Sequence, residues 1–191
     1  NTTTVSRVST SANNSGVDVD QNSTITSLAV GHTTPVSIAD GKTLSGAVTV
    51  TGGSIKLGET GTLASTVTMS GGTLDADESL TLSGALTQSG TITIDVAENK
   101  TLSYSGAAVN LRTLIMSGKG TFSNTNALVL NSAYSKLLLS NTSTVNSVST
   151  SANNSGVDVN ESSTITSLAV GNTTPVSIAD GKTLSGAVNL T

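Results

Sequence analysis

Cysteine and tryptophan are absent from this chain, one phenylalanine and two tyrosines are all the aromatics in 191 residues, and only 10% of side chains are charged. Each shortage removes a class of protein. Without cysteine there is no disulfide framework, thiolate metal site or cysteine nucleophile. Few aromatics means that the bulky side chains of an ordinary globular core are missing. A net charge of −4 with no run of Lys or Arg argues against nucleic-acid binding, which needs a basic stripe to neutralise phosphates. No apolar stretch approaches the roughly 18 residues of a membrane-spanning helix, and no charged-then-apolar leader opens the chain. Opening on Asn1 and closing at Thr191 partway through a repeat, the sequence is expected to be a segment of a longer protein.

What is present is a period. Threonine followed by an apolar residue recurs at Thr24, Thr43, Thr62, Thr81, Thr101, Thr121, Thr144, Thr164 and Thr183, at spacings of 19 to 23 residues. Such regularity marks a stacked array in which each repeat is one supersecondary unit. The nine threonines are expected to form one column along the axis, their hydroxyls bonding from coil to coil and fixing register.

A longer repeat contains the short ones. Residues 141–191 repeat residues 1–51 at an offset of 140, differing at nine positions, and seven short units fill that interval. The only one of those nine pairs placed inward, Val50 and Leu190, exchanges one aliphatic for another. The expected domain organisation is therefore a single continuous solenoid over 1–191.

Within one unit the apolar residues alternate with polar ones. Leu44, Val48, Val50, Ile55 and Leu57 are expected inward, followed by Leu63, Val67, Met69, Leu74 and Ala76 in the next unit. Glycine pairs such as Gly52-Gly53 and Gly71-Gly72, the single residues Gly41, Gly58, Asn99 and Gly118, and the steps Ser45-Gly46 and Ser83-Gly84 fall between the runs and read as three sets of corners. No helical periodicity or capping pattern competes. The predicted fold is all-β, a parallel β-helix (β-solenoid) of about 20 residues and three short strands per coil. The longest unit, around Leu137-Leu138-Leu139, is where a bulge or protruding loop is expected.

Stretches such as TVTMSGGTLDADESLTLSGAL and SIADGKTLSGAVTVTGGSIKLGETG resemble the coils of bacterial secreted parallel β-helix repeat proteins, of the autotransporter-passenger, filamentous-haemagglutinin and giant repetitive surface-protein type. The resemblance implies export to the bacterial surface or medium and a role in attachment or coating, with a glycan or protein of a host or neighbouring cell as partner. The secretion cap and membrane barrel of those families have no counterpart in this sequence.

Catalytic and metal roles find little support. His32 is the only histidine and its counterpart in the second copy is Asn172, so it reads as a turn residue. Asp18 and Asp20 alternate outward without the acidic loop that calcium requires. Asp75, Asp77 and Glu78 form the one acidic cluster, best explained by pairing with Lys56 one coil away. The expectation is a structural rod that is not an enzyme, carries no cofactor or metal, and associates end to end or with adjacent repeats through terminal coils that a cap or the next repeat would otherwise cover. The alternative is a ligand-binding solenoid. A glycan would seek the aromatics Tyr104, Phe122 and Tyr134, whereas ice would seek the outward array Thr49-Thr51, Thr68-Ser70 and Thr87-Ser89. Matches to the glycosylation sequon, such as Asn13-Asn14-Ser15, are of the number chance gives in so Asn- and Ser-rich a chain.

Overall fold

The computed structural model describes residues 2–191 apart from Ser11, Asn13, Asn14, Glu59, Ala108 and Asn172. The sequon at Asn13-Asn14 and the His32 counterpart Asn172 thus lie outside the described residues.

β-branched and aliphatic residues at period two, broken by glycine, give strands throughout, and no helix occurs among the described residues. The chain opens with β1 (Thr3–Thr10), β2 (Val17–Val19), β3 (Ser23–Val30), β4 (Thr34–Ile38) and β5 (Thr43–Val50). It continues with β6 (Ser54–Leu57), β7 (Thr62–Leu63), β8 (Thr66–Met69), β9 (Thr73–Ala76), β10 (Leu80–Leu82) and β11 (Leu86–Gln88). Then come β12 (Thr91–Val96), β13 (Thr101–Tyr104), β14 (Val109–Asn110), β15 (Thr113–Ser117), β16 (Thr121–Asn124), β17 (Leu128–Leu130) and β18 (Lys136–Leu139). Last are β19 (Thr144–Thr150), β20 (Gly156–Val159), β21 (Ser163–Val170), β22 (Val176–Ile178) and β23 (Leu184–Leu190).

Every pairing is parallel, and the strands fall into a 14-stranded and a 9-stranded sheet. Each circuit contributes one strand to the smaller sheet (β2, β4, β6, β9 and so on) and then crosses to the larger one. At strand spacings of about 4.8 Å, the ten levels of the larger sheet rise about 43 Å. Seven of those steps separate Val5 from Val145, so the 140-residue repeat is seven coils.

Three strands per coil hold only in the middle. There the larger sheet is cut into two legs, such as β7 with β8 or β10 with β11, by turns that include Ser83-Gly84. Toward both ends the legs fuse into single strands of seven or eight residues: β1, β3 and β5 at one end, β19, β21 and β23 at the other. Ser45-Gly46 is accordingly no corner. It lies inside β5, opposite a bulge between Ile25 and Leu28 of β3, with Gly46 at φ 122°. A Cβ on Gly46 would lie 1.6 Å from the Ile25 carbonyl oxygen, so glycine is what admits the bulge.

The ten predicted inward residues from Leu44 to Ala76 are all buried and belong to one continuous core running the length of the stack. Of the two forms expected in the longest unit, the protruding loop occurs and the bulge within Leu137-Leu138-Leu139 does not. Those residues run straight in β18, paired with β15 and β20, and the extra length sits just before them in the turn at 131–135. A strand whose Leu137 and Leu139 fill the core holds its register, and the insertion is expelled to the corner.

The threonine column is likewise two columns and two strays. Thr43, Thr62 and Thr81 stack in register, as do Thr101, Thr121, Thr144 and Thr164. Thr24, however, lies beside Ser45, Thr81 beside Ser103 and Thr164 beside Ser185. At each break a side chain from the coil below replaces the threonine. Thr43 N–H donates to Asn22 Oδ1 at 3.0 Å, Thr101 N–H to Ser79 Oγ at 3.0 Å, and Thr183 N–H to Ser162 Oγ at 3.2 Å. Residue-by-residue register thus follows the bulges and turn lengths, and a polar side chain satisfies the backbone donor where the column slips.

Candidate functional site

The corner between the two sheets changes length along the rod, and the change builds a groove. Two residues join β11 to β12 (Ser89-Gly90) and two join β14 to β15 (Leu111-Arg112), but five join β17 to β18. The two short corners form a floor and the five-residue turn a wall, enclosing a groove of about 430 Å³ lined by Ser89, Thr91, Arg112, Thr113, Ser132 and Tyr134 among others. Gln88 braces the floor: its amide Nε2 donates to the Gly90 carbonyl at 2.7 Å and also to the Thr113 carbonyl one coil on.

The wall is stiff. Ser135 N–H donates to the Ser132 carbonyl at 3.0 Å, and the Ser135 Oγ accepts from Ser132 N–H at 3.1 Å. At its crest Tyr134 has φ 64° and is 74% exposed. The next coil makes the same turn, with Ser155 N–H donating to the Ala152 carbonyl, and there the left-handed position is held by Asn154 at φ 59°. Asparagine suits that conformation; a tyrosine does not, and bears the strain of a bulky side chain at positive φ.

Of the three aromatics singled out from the sequence, only Tyr134 faces solvent. Tyr104 and Phe122 are in the core, 1% and 0% exposed, with ring centroids 5.9 Å apart and an interplanar angle of 24°. This corrects their assignment as ligand contacts. Their place was legible, because Phe122 directly follows a threonine and Tyr104 is two residues after inward Leu102. The Tyr104 hydroxyl donates to the Ala107 carbonyl at 2.7 Å and accepts from Leu86 N–H at 3.1 Å, filling the gap where the sheet splits into legs. Burial pushes its phenol above the usual pKa, partly offset by the Leu86 hydrogen bond. Asn124, not singled out from the sequence, is buried two residues after Phe122 and does the same work one level on. Its Nδ2 donates to the Asn126 and Ser147 carbonyls at 2.8 and 2.9 Å, and its Oδ1 accepts from Asn146 N–H at 2.8 Å. A polar residue at an inward step of the alternation was the available signal.

The acidic cluster is neutralised from both sides. Lys56 lies 3.4 Å from Asp75 and 3.8 Å from Asp77, and Lys100 pairs with Glu78. Burial and then the neighbouring Asp77 raise the Asp75 carboxyl above its usual pKa despite Lys56, whose own pKa is raised chiefly by Asp75. His32 is exposed in the turn between β3 and β4, and Asp18 and Asp20 are exposed on and just after β2. Among the described residues no three His, Asp or Glu side chains converge as a metal set. The outward Thr49, Thr68 and Thr87 do stack, with Thr87 Oγ1 donating to Thr68 Oγ1 at 3.0 Å, and Ala29 precedes them in register.

The two ends of the stack are the other distinctive surfaces. The last coil exposes Val176, Ile178, Val188 and Leu190. The first leaves a hollow of about 300 Å³ lined by Val5, Val8, Val17, Ile25 and Leu44.

These features define the class: a parallel β-solenoid with a walled groove at a corner of the stack. No family model, curated protein or solved structure matches the chain.

Proposed function

We propose that this chain is a structural spacer segment of a larger repetitive protein exported to a bacterial surface, where it supplies length and rigidity for attachment or coating, and that its coils join end to end. The observation that carries the reading is the coil-on-coil stack, in which each coil's apolar residues are buried by the coil that follows. Val36, Ile38, Val48 and Val50 are at most 2% exposed because β6 to β8 lie over them, whereas their counterparts Val176, Ile178, Val188 and Leu190 are 37% to 84% exposed. An apolar edge with an unpaired ladder invites another coil.

The two ends also match in outline. β1 and β2 offer an eight-residue and a three-residue strand, and β23 and β22 offer seven and three, unlike the split coils between them. Parallel stacking of one chain's last coil on the next chain's first is head to tail and does not close, so it extends a rod. Support for export and adhesion comes from the resemblance to bacterial secreted β-helical proteins and from an exterior in which Thr, Ser and Asn supply solubility with little charge. The acidic cluster serves this reading as a set of cross-coil ion pairs, and neither catalysis nor a cofactor enters it.

Sedimentation velocity over a rising concentration series tests the joining. The chain should form linear oligomers, and Leu190→Asp, which charges the open face without touching the interior, should hold it monomeric. A chain that stays monomeric at the highest concentration reached overturns end-to-end assembly.

A further inference from the structure

We infer that the corner groove under Tyr134 is a binding site for an acidic oligosaccharide, with Tyr134 as the stacking platform and Arg112 as the anchor for a sugar carboxylate. Three independent features of the molecule converge there. The first is the choice of residue at the left-handed crest. The same turn occurs one coil later with Asn154 at that position, and the chain places an exposed tyrosine, against conformational preference, only over the groove. Backbone strain kept at a surface position points to a task for the side chain. A tyrosine ring with a free apolar face and a polar edge suits a sugar, whose C–H faces lie on the ring while its hydroxyls turn outward.

The second feature is charge. Five of the six lysines are in cross-coil ion pairs, whereas Arg112 is exposed and has no ion-pair partner among the described residues. A guanidinium presents a planar fork that matches a carboxylate with two parallel hydrogen bonds. In a chain of net charge −4 an uncompensated arginine in a groove selects for an anion.

The third feature is the remainder of the lining. Ser89, Thr91, Thr113 and Ser132 bring hydroxyls from three successive coils to one concavity, suited to the mixed donors and acceptors of a sugar. The volume, about 430 Å³, falls in the range of small-ligand sites. The site lies on the side of the rod and is independent of the open ends, so it stands or falls apart from the spacer reading.

Isothermal titration of the intact chain with a hexuronate trisaccharide, a sialic-acid-capped trisaccharide and a neutral hexose trisaccharide tests the assignment and separates uronate from sialate as the acid source. At least one acidic ligand should bind at least tenfold more tightly than the neutral one. Tyr134→Asn, which installs the residue the next coil already uses, should leave the melting temperature unchanged or higher and weaken acidic-sugar binding at least tenfold. Arg112→Gln should remove the preference for acid while retaining residual neutral-sugar binding. If no acidic trisaccharide binds, or if Tyr134→Asn binds as well as the parent chain, the inference is wrong.

Discussion

The strand pairs β3/β5 and β21/β23 fold alike. β3 and β21 have the same sequence, β5 and β23 follow at the same register, the bulge recurs between Ile25/Leu28 and Thr164/Ser167, and Gly46 and Gly186 share φ 122°. Yet Val48 is 2% exposed and Val188 is 54%. Local conformation therefore belongs to the segment, whereas burial belongs to the coil above it. In a quasi-one-dimensional stack each unit's stability is its own plus its contacts with neighbours, and the last unit has one neighbour fewer.

The hardest way to break the likeness is through the shared glycines. Gly46→Ala would push a methyl into the Ile25 carbonyl beneath a covering coil and should cost about 4 kcal/mol in chemical denaturation, since nothing can shift. Gly186→Ala meets Ile165 at 1.8 Å but lies in the final strand, and should only release β23, seen as fast amide exchange there with the global midpoint nearly unmoved.

Deleting methyls sharpens the comparison. Val48→Ala leaves a cavity and should cost about 2 kcal/mol, against less than about 0.5 kcal/mol for Val188→Ala, both read from urea midpoints. Conditions that drive end-to-end joining should raise the second value toward the first.

A smaller effect lies in the coils that cover the first copy. The folded pKa of Asp75 is raised, so holding it as a carboxylate costs stability above that raised value, and the cost vanishes below the ordinary carboxyl pKa. Asp75→Asn should accordingly raise the melting temperature slightly at pH 7 and leave it unchanged near about pH 3.

The smallest expected change concerns one of the nine differences between copies. Lys182 pairs with Glu161 at 2.6 Å, whereas the first copy has Gln21 in the place of Glu161. Glu161→Gln makes the copies alike and should cost no more than about 0.5 kcal/mol, fading in high salt, because both partners are only partly buried.

Much of this architecture was readable beforehand from particular residues. The inward set from Leu44 to Ala76 followed from period two, the coil length from the threonine steps, and the Lys56–Asp75 pair from the 19-residue offset between them. The site was legible only in part. Tyr134 was marked as an aromatic, but nothing in a one-dimensional pattern says that Arg112 and Ser89, 22 and 45 residues earlier, line the same groove, because that depends on the lengths of three consecutive corners.

The sequence by itself determined the strand type, the circuit length and the inward face, since β-branched alternation and glycine placement act over a few residues and carry their own periodicity. Only the tertiary structure decided which threonines stack, where the sheet splits into legs and which aromatic faces water. Those outcomes depend on how turn lengths and bulges accumulate between successive circuits, and a one-residue slip in any coil reassigns the neighbours of the coil above it.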